Sequence, residues 1–216
     1  MIIFCGIDPG FSGGISILSN SRKALPVVYK MPVIKLTKKV KGKIKTKRLY
    51  DLQKIRDIFV KHLSEKSMIV LERVSSMPGE GSVSSFAFGK GFGNLEGIVM
   101  GLFNHLPIIV SSQKWKKQFS ELITDGIIAK KAEIRDLRVL SKSLEEKQAK
   151  NENKKQIDKL NRQVKAESKT AARSLVSTLY PKMAKVFEKT NTDGMAESLL
   201  IALYGKENRN ELVQNS

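Results

Sequence analysis

Histidine and cysteine are nearly missing from this chain. Its 216 residues include one cysteine and two histidines. A lone Cys5 excludes an intramolecular disulfide, and its place in an apolar run predicts a buried structural thiol. Neither His62 nor His105 has ligand spacing to another His or Cys, which disfavours zinc chemistry. No apolar run approaches the roughly 18 residues that span a bilayer. The N-terminus enters a strand without a basic n-region or cleavage site, so a cytoplasmic protein is expected. Acids are also scarce: 21 Asp and Glu face 39 Lys and Arg, leaving a formal charge of +18. Such a basic excess is the electrostatic footprint of a phosphate-bearing partner, although membrane-surface and ribosomal proteins share it.

The few acids stand in telling places. From Met1 to Leu18 an apolar strand ends on Asp8, turns through Pro9, Gly10, Gly13 and Gly14, and returns as a second apolar strand. Unbroken apolar runs are the pattern of strands buried within a sheet. A carboxylate at the end of one is a natural ligand for a hard cation, although Asp-Pro-Gly is also ordinary turn chemistry. Glu72 ends a second apolar strand, Met68 to Glu72, and a charged group so placed needs a cation or a metal. Asp193 and Glu197 lie four apart at the head of an apolar helix, on one face of it. Their alternative role is at the helix terminus, with Asp193 or Thr192 as cap and Glu197 at the positive end of the dipole.

This order of residues resembles the RuvC-type Holliday junction resolvases of the ribonuclease H-like superfamily, and is most similar to their phage and plastid branches. The resemblance covers most of the chain. It is carried by Gly6-Ile7-Asp8-Pro9-Gly10, Leu71-Glu72, the glycine-rich stretch Phe88 to Gly97, Trp115-Lys116, Ser168-Lys169 and the run Asp193 to Ala202. Bacterial members space the last two acids three apart, whereas here the spacing is four. The resemblance implies a structure-selective DNA endonuclease that cuts four-way junctions and other branched DNA. It implies Asp8, Glu72, Asp193 and Glu197 as metal ligands for two Mg²⁺ ions, with Mn²⁺ as a substitute. Lys116 and Lys169 then stand near the scissile phosphate as catalytic cations. Because a four-way junction is two-fold symmetric, paired cuts imply a homodimer. A ribonuclease H-type or flap nuclease would use the same acids, and a non-catalytic branched-DNA binder would dispense with them.

Periodicity predicts an α/β fold of a single domain over 1–216: a mixed five-stranded sheet flanked by helices, as in the ribonuclease H-like fold, with an inserted helical hairpin. Strands are expected near 2–8, 14–18, 26–31, 68–72 and 107–111, and helices near 50–64, 84–104 and 193–204. Apolar residues Ile134, Leu137, Leu140 and Leu144, then Ile157, Leu160 and Val164, recur at helical intervals. They predict a hairpin insertion at about 127–167 whose two stripes pack on each other, turning at Asn151-Glu152-Asn153 where helix propensity is weak.

The run Lys35 to Arg48 carries eight positive residues and no acid. A ribbon or loop there is expected to follow phosphates. The expected DNA contacts are Lys38, Lys39, Lys41, Lys43, Lys45, Lys47 and Arg48 in this run. Arg73, Lys90, Lys114, Lys117 and Arg173 lie outside it, with Phe86 or Phe88 as a base-stacking aromatic. In the resembled family an aromatic follows the strand acid; the corresponding Ser75 is not one. A GxGxxG nucleotide site fails here, because no strand leads into the glycines.

Overall fold

The structure, a computed structural model, describes residues 2–21, 24–40, 42–74 and 81–214. Strands β1 (Ile3–Asp8), β2 (Gly14–Ser19) and β3 (Val27–Lys30) form an antiparallel meander. The next segment is a two-stranded ribbon of β4 (Val33–Val40) and β5 (Lys43–Tyr50), standing outside the main sheet. Of the two forms expected for the basic run, ribbon and loop, the ribbon is found. Helix α1 (Leu52–His62) leads to β6 (Met68–Glu72), α2 (Ser82–Phe103) and β7 (Ile108–Val110). The sheet order is β3-β2-β1-β6-β7, with β6 parallel to both β1 and β7. This is a five-stranded mixed α/β sheet flanked by helices.

The rest of the chain is helical: α3 (Ser112–Lys117), α4 (Asp125–Ser143), α5 (Lys147–Leu179), the short α6 (Ala184–Phe187), α7 (Asp193–Glu207) and α8 (Arg209–Gln214). No helix among the described residues is long and apolar enough to cross a membrane.

Alternation along the strands sorts side chains to two cores. Cys5, Ile7, Ile69 and Leu71 pack with Ile55 and Phe59 of α1 and Leu95 and Val99 of α2. Phe4, Met68 and Val70 face the other way, onto Leu199 and Ala202 of α7 and Val176 of α5. Cys5 is fully buried, and that burial pushes its thiol far above the ordinary range.

Helix α7 is buried almost all round and lies directly on β1. Gly6 makes this possible, because a Cβ there would stand 2.1 Å from the Ser198 carbonyl oxygen and 2.3 Å from the Ala202 nitrogen. The head of α7 meets the β1–β2 turn glycine to glycine, since a Cβ on Gly194 would lie 2.3 Å from the Gly13 Cα. Between these contacts Ser16 and Ser198 share a buried hydrogen bond of 2.7 Å. Gly6→Ala is therefore expected to push α7 off the sheet and cost about 3 kcal/mol, the upper range for overpacking. Urea unfolding measures this, and a loss under about 0.5 kcal/mol would contradict so close a packing.

The hairpin differs from expectation in its turn. Leu144 to Glu146 separates the two helices, and Asn151 to Asn153 lies inside α5. Asn153 is buried and donates to the Leu137 carbonyl at 2.8 Å and to Ser141 Oγ at 2.6 Å. Its low helix propensity is offset by these bonds to α4, which local reasoning does not include. Ile134 and Leu160 are buried, and α4 packs along α5 within the one chain. The second arm does not stop at the insertion: α5 runs on to Leu179, carrying Lys169 and Arg173 into the core region.

Candidate active site

Asp8 and Glu72 arrive together because β1 and β6 are parallel neighbours. Ile7 pairs with Leu71, so the two acids follow one step later at the same end of the sheet. Both share the strand face of Phe4 and Val70, which is the face α7 covers. Helix α7 brings Glu197 above them. The turn holds Asp8 through the Gly10 N–H, which donates to its Oδ1 at 3.0 Å. Trp115 of α3 is fully buried and donates from Nε1 to Glu72 Oε1 at 3.2 Å. Lys116, next along α3, donates from Nζ to Glu197 Oε1 at 2.9 Å and lies 5.0 Å from the Trp115 ring centroid.

The electrostatics follow from crowding three acids around one lysine. Burial raises the Asp8 carboxyl, Glu197 and Glu72 add repulsion, and the Gly10 N–H and Lys116 only partly offset them, leaving it at about 7. Glu72 is also raised, first by burial and then by Glu197, against Lys116 and the Trp115 hydrogen bond. Burial works to lower Lys116, yet Glu197, Glu72 and Asp8 outweigh it and hold its ammonium above the ordinary value.

A carboxyl whose folded value exceeds its unfolded one binds extra protons in the folded state, so stability falls as pH rises through the window between them. For Asp8 that window runs from about 4, the ordinary carboxylate value, to about 7. Metal-free protein is therefore expected to lose stability over this range, and Asp8→Asn to flatten the slope. Urea midpoints measured in chelator at closely spaced pH values test it; equal slopes in the two proteins would contradict the burial of Asp8.

Asp193, one turn before Glu197 on α7, has its own cationic partners. Its Oδ2 accepts from Lys169 Nζ at 3.1 Å and its Oδ1 from Arg173, both on α5. It does not cap α7, and Thr192 instead donates to the Lys189 carbonyl. The capping alternative is thus replaced by an ion pair.

The oxygen-only donor set suits a hard cation such as Mg²⁺. Among the described residues no three acidic, histidine or cysteine side chains form a complete ion cage. Mg²⁺ does not need one, because it takes one or two carboxylates with waters and substrate phosphates. Asp8 and Glu72, both raised first by burial and then by the charge of Glu197, are the acids that a divalent charge would relieve most.

The other sequence-chosen residues scatter. Beside Lys116 and Glu197 opens a cavity of about 440 Å³, lined also by Lys117 and Ser168. Lys131 of α4 lines it too; sequence reasoning missed that residue, since only the hairpin packing brings it there. Arg73 and Lys114 line a different cavity of about 960 Å³ along the outer side of β7, which contains none of the four acids. Lys114 is paired there with Glu211 at 3.0 Å. Arg173 is paired with Asp193. On α2, Phe86 is 75 % exposed, Phe88 is half-buried and Lys90 is exposed. Lys38, Lys39, Lys47 and Arg48 are exposed on the ribbon, whereas Lys41, Ser75 and the side chains of Lys43 and Lys45 fall outside the described residues.

Two further positioning groups also went unread in the sequence: the Trp115 indole, and Tyr50, whose hydroxyl donates to the Pro9 carbonyl beside Asp8. The adjacency of Trp115 to Lys116 was the available signal for the first. A scan against protein-family models finds no match, and a search of curated proteins finds none either.

Proposed function

We propose that this protein is a divalent-metal-dependent endodeoxyribonuclease of the RuvC type, within the ribonuclease H-like superfamily, that resolves four-way junctions and cuts related branched DNA. The observation that carries the reading is the meeting of Asp8, Glu72 and Glu197 at one end of two parallel central strands, with Lys116 among them. An acid cluster at the end of buried strands, in a chain of formal charge +18, suits hydrolysis of a polyanion.

Asp8 and Glu72 on the strands, with Glu197 and Asp193 on α7, would hold divalent ions whose coordination water and phosphate oxygens complete, and these ions would supply Lewis-acid activation of water and neutralise charge on the reacting phosphate. The water oxygen bonds to phosphorus, the bond to the 3′ oxygen breaks, and that oxygen takes up a proton, leaving a 5′-phosphate and a 3′-hydroxyl. Lys116 holds positive charge beside the acids, where phosphate charge builds up. Trp115 keeps Glu72 oriented and excludes water beneath it. Lys169 and Arg173 fix Asp193 until substrate competes for them. Two copies related by a two-fold axis place two such sites on the symmetric junction.

The test is a cleavage panel: a four-way junction, a three-way junction, a flap, linear duplex and RNA–DNA hybrid, each with Mg²⁺ and with Mn²⁺. Paired symmetric nicks in the four-way junction are expected. Preference for the hybrid would shift the reading to a ribonuclease H-type enzyme, and failure to cut any substrate would leave only a DNA binder.

A further inference from the structure

We infer that the β4–β5 ribbon is a one-sided DNA arm, whose face bearing Lys35, Thr37, Lys39, Thr46 and Arg48 follows the nucleic-acid backbone outward from the acidic site. The identity of the backbone rests on the nuclease reading; the choice of face rests on the ribbon itself.

The strand register sorts the side chains. Val33 pairs with Tyr50, Lys35 with Arg48, Thr37 with Thr46 and Lys39 with Ile44. Residues directly opposite in an antiparallel pair share a face, and each second residue returns to it. The root of this face is tied to the turn that follows Asp8. Buried Tyr50 donates to the Pro9 carbonyl, its ring lies 5.0 Å from that of Phe11, and the Arg48 guanidinium sits 5.4 Å from the Phe11 centroid. From the turn after Asp8 outward, this face offers Arg48 with Lys35, then the two threonines, then Lys39, whose partner at the outer end is the exposed Ile44. Hydroxyl and ammonium donors of this kind make backbone contacts that fix register without reading sequence.

The opposite face cannot continue the site in the same way. Its root is apolar, with Ile34 and Leu49 paired and Leu36 beyond them, 45 %, 37 % and 50 % exposed. Phosphates laid there would lose water without gaining donors. Of its described cations, Lys47 pairs with Leu36 and Lys38 stands one step farther from the Ile34–Leu49 root. No acid occurs from residue 33 to residue 50. The first one after the ribbon, Asp51, is used as a cap, accepting from the Lys54 N–H at 3.1 Å. Charge therefore favours a polyanion over a protein partner, and a two-stranded ribbon is narrow enough to lie in the major groove of duplex DNA.

Two full-length double variants, K35Q/K39Q and K38Q/K47Q, remove equal charge from opposite faces of the ribbon. Binding to a four-way junction and to linear duplex is followed by fluorescence anisotropy in chelator over a range of salt. Each lost phosphate contact reduces the slope of log affinity against log salt by about 0.9. K35Q/K39Q is expected to flatten it by about 1.8 and K38Q/K47Q by less than about 0.5. Equal changes in the two variants, or the larger change in K38Q/K47Q, overturn the one-sided arm. If the two variants differ as expected while the wild-type chain cuts no branched DNA, the nuclease reading is overturned and the arm stands.

Discussion

Asp8→Asn is expected to reduce junction cleavage by about 10³-fold or more while leaving junction binding intact or tighter. The reasoning is electrostatic. A divalent ion at this site would supply several kcal/mol of transition-state stabilisation, and each 1.4 kcal/mol is about tenfold in rate. Asp8 is the acid that β1 fixes most rigidly, between the Gly10 N–H and the packed head of α7. Its replacement by a neutral amide removes a ligand and also a negative charge that repels phosphate. Glu72→Gln and Glu197→Gln should behave alike, since all three acids share one electrostatic neighbourhood. Asp193→Asn should lose less, because that carboxylate already has Lys169 and Arg173 as cationic partners. Single-turnover cleavage beside an anisotropy titration separates chemistry from binding. Full activity in the Asp8 variant would refute the proposed site; a loss at Asp193 equal to that at Glu197 would make it a fourth ligand of the same standing.

Trp115→Ala should be the most destabilising of the site substitutions, at about 3–5 kcal/mol, the usual cost of emptying a large buried aromatic site. The indole has no exposed surface and packs between the α7 core and Phe119, with ring centroids 6.4 Å apart. It also joins the two charge systems of the site, holding Glu72 by a hydrogen bond and Lys116 against its ring. Trp115→Phe separates these roles. It retains most of the packing but takes the indole N–H from Glu72, which keeps Ser112 as a side-chain partner, and a hydrogen bond to a charged group contributes about 1.5–3 kcal/mol. The phenylalanine variant should therefore remain folded in urea titrations while cleavage falls at least about tenfold. If Trp115→Ala changes stability by less than about 1 kcal/mol, the packing account of α3 is wrong.

Much of this architecture was legible because its signals are local. The apolar run before Asp8, the paired glycines after it and the apolar run before Glu72 each announce a strand end within a few residues. All five strands of the sheet and the helices α1, α2 and α7 follow from such patterns. The ribbon was harder to see: Leu36 and Ile44 alternate with polar residues as strand residues do, but a density of lysine masks the alternation. Its pairing partner is set by register, not composition. The hairpin turn was misplaced for a related reason. Asn153 looks like a helix breaker until Ser141 and the Leu137 carbonyl are known to face it.

By itself, then, the sequence determined where strands end, which acids stand at those ends and the formal charge of +18. These properties depend on neighbours along the chain and on net charge. Only the tertiary structure decided that Glu197 joins Asp8 and Glu72 while Asp193 turns to Lys169 and Arg173. It also decided that Trp115 braces Glu72, and that Tyr50 at the root of the ribbon meets the Pro9 carbonyl beside Asp8. Those outcomes depend on close contacts between residues distant in sequence, such as α7 against Gly6 and Tyr50 against Pro9. Burial and charge interact over a few ångströms of space whatever the separation along the chain.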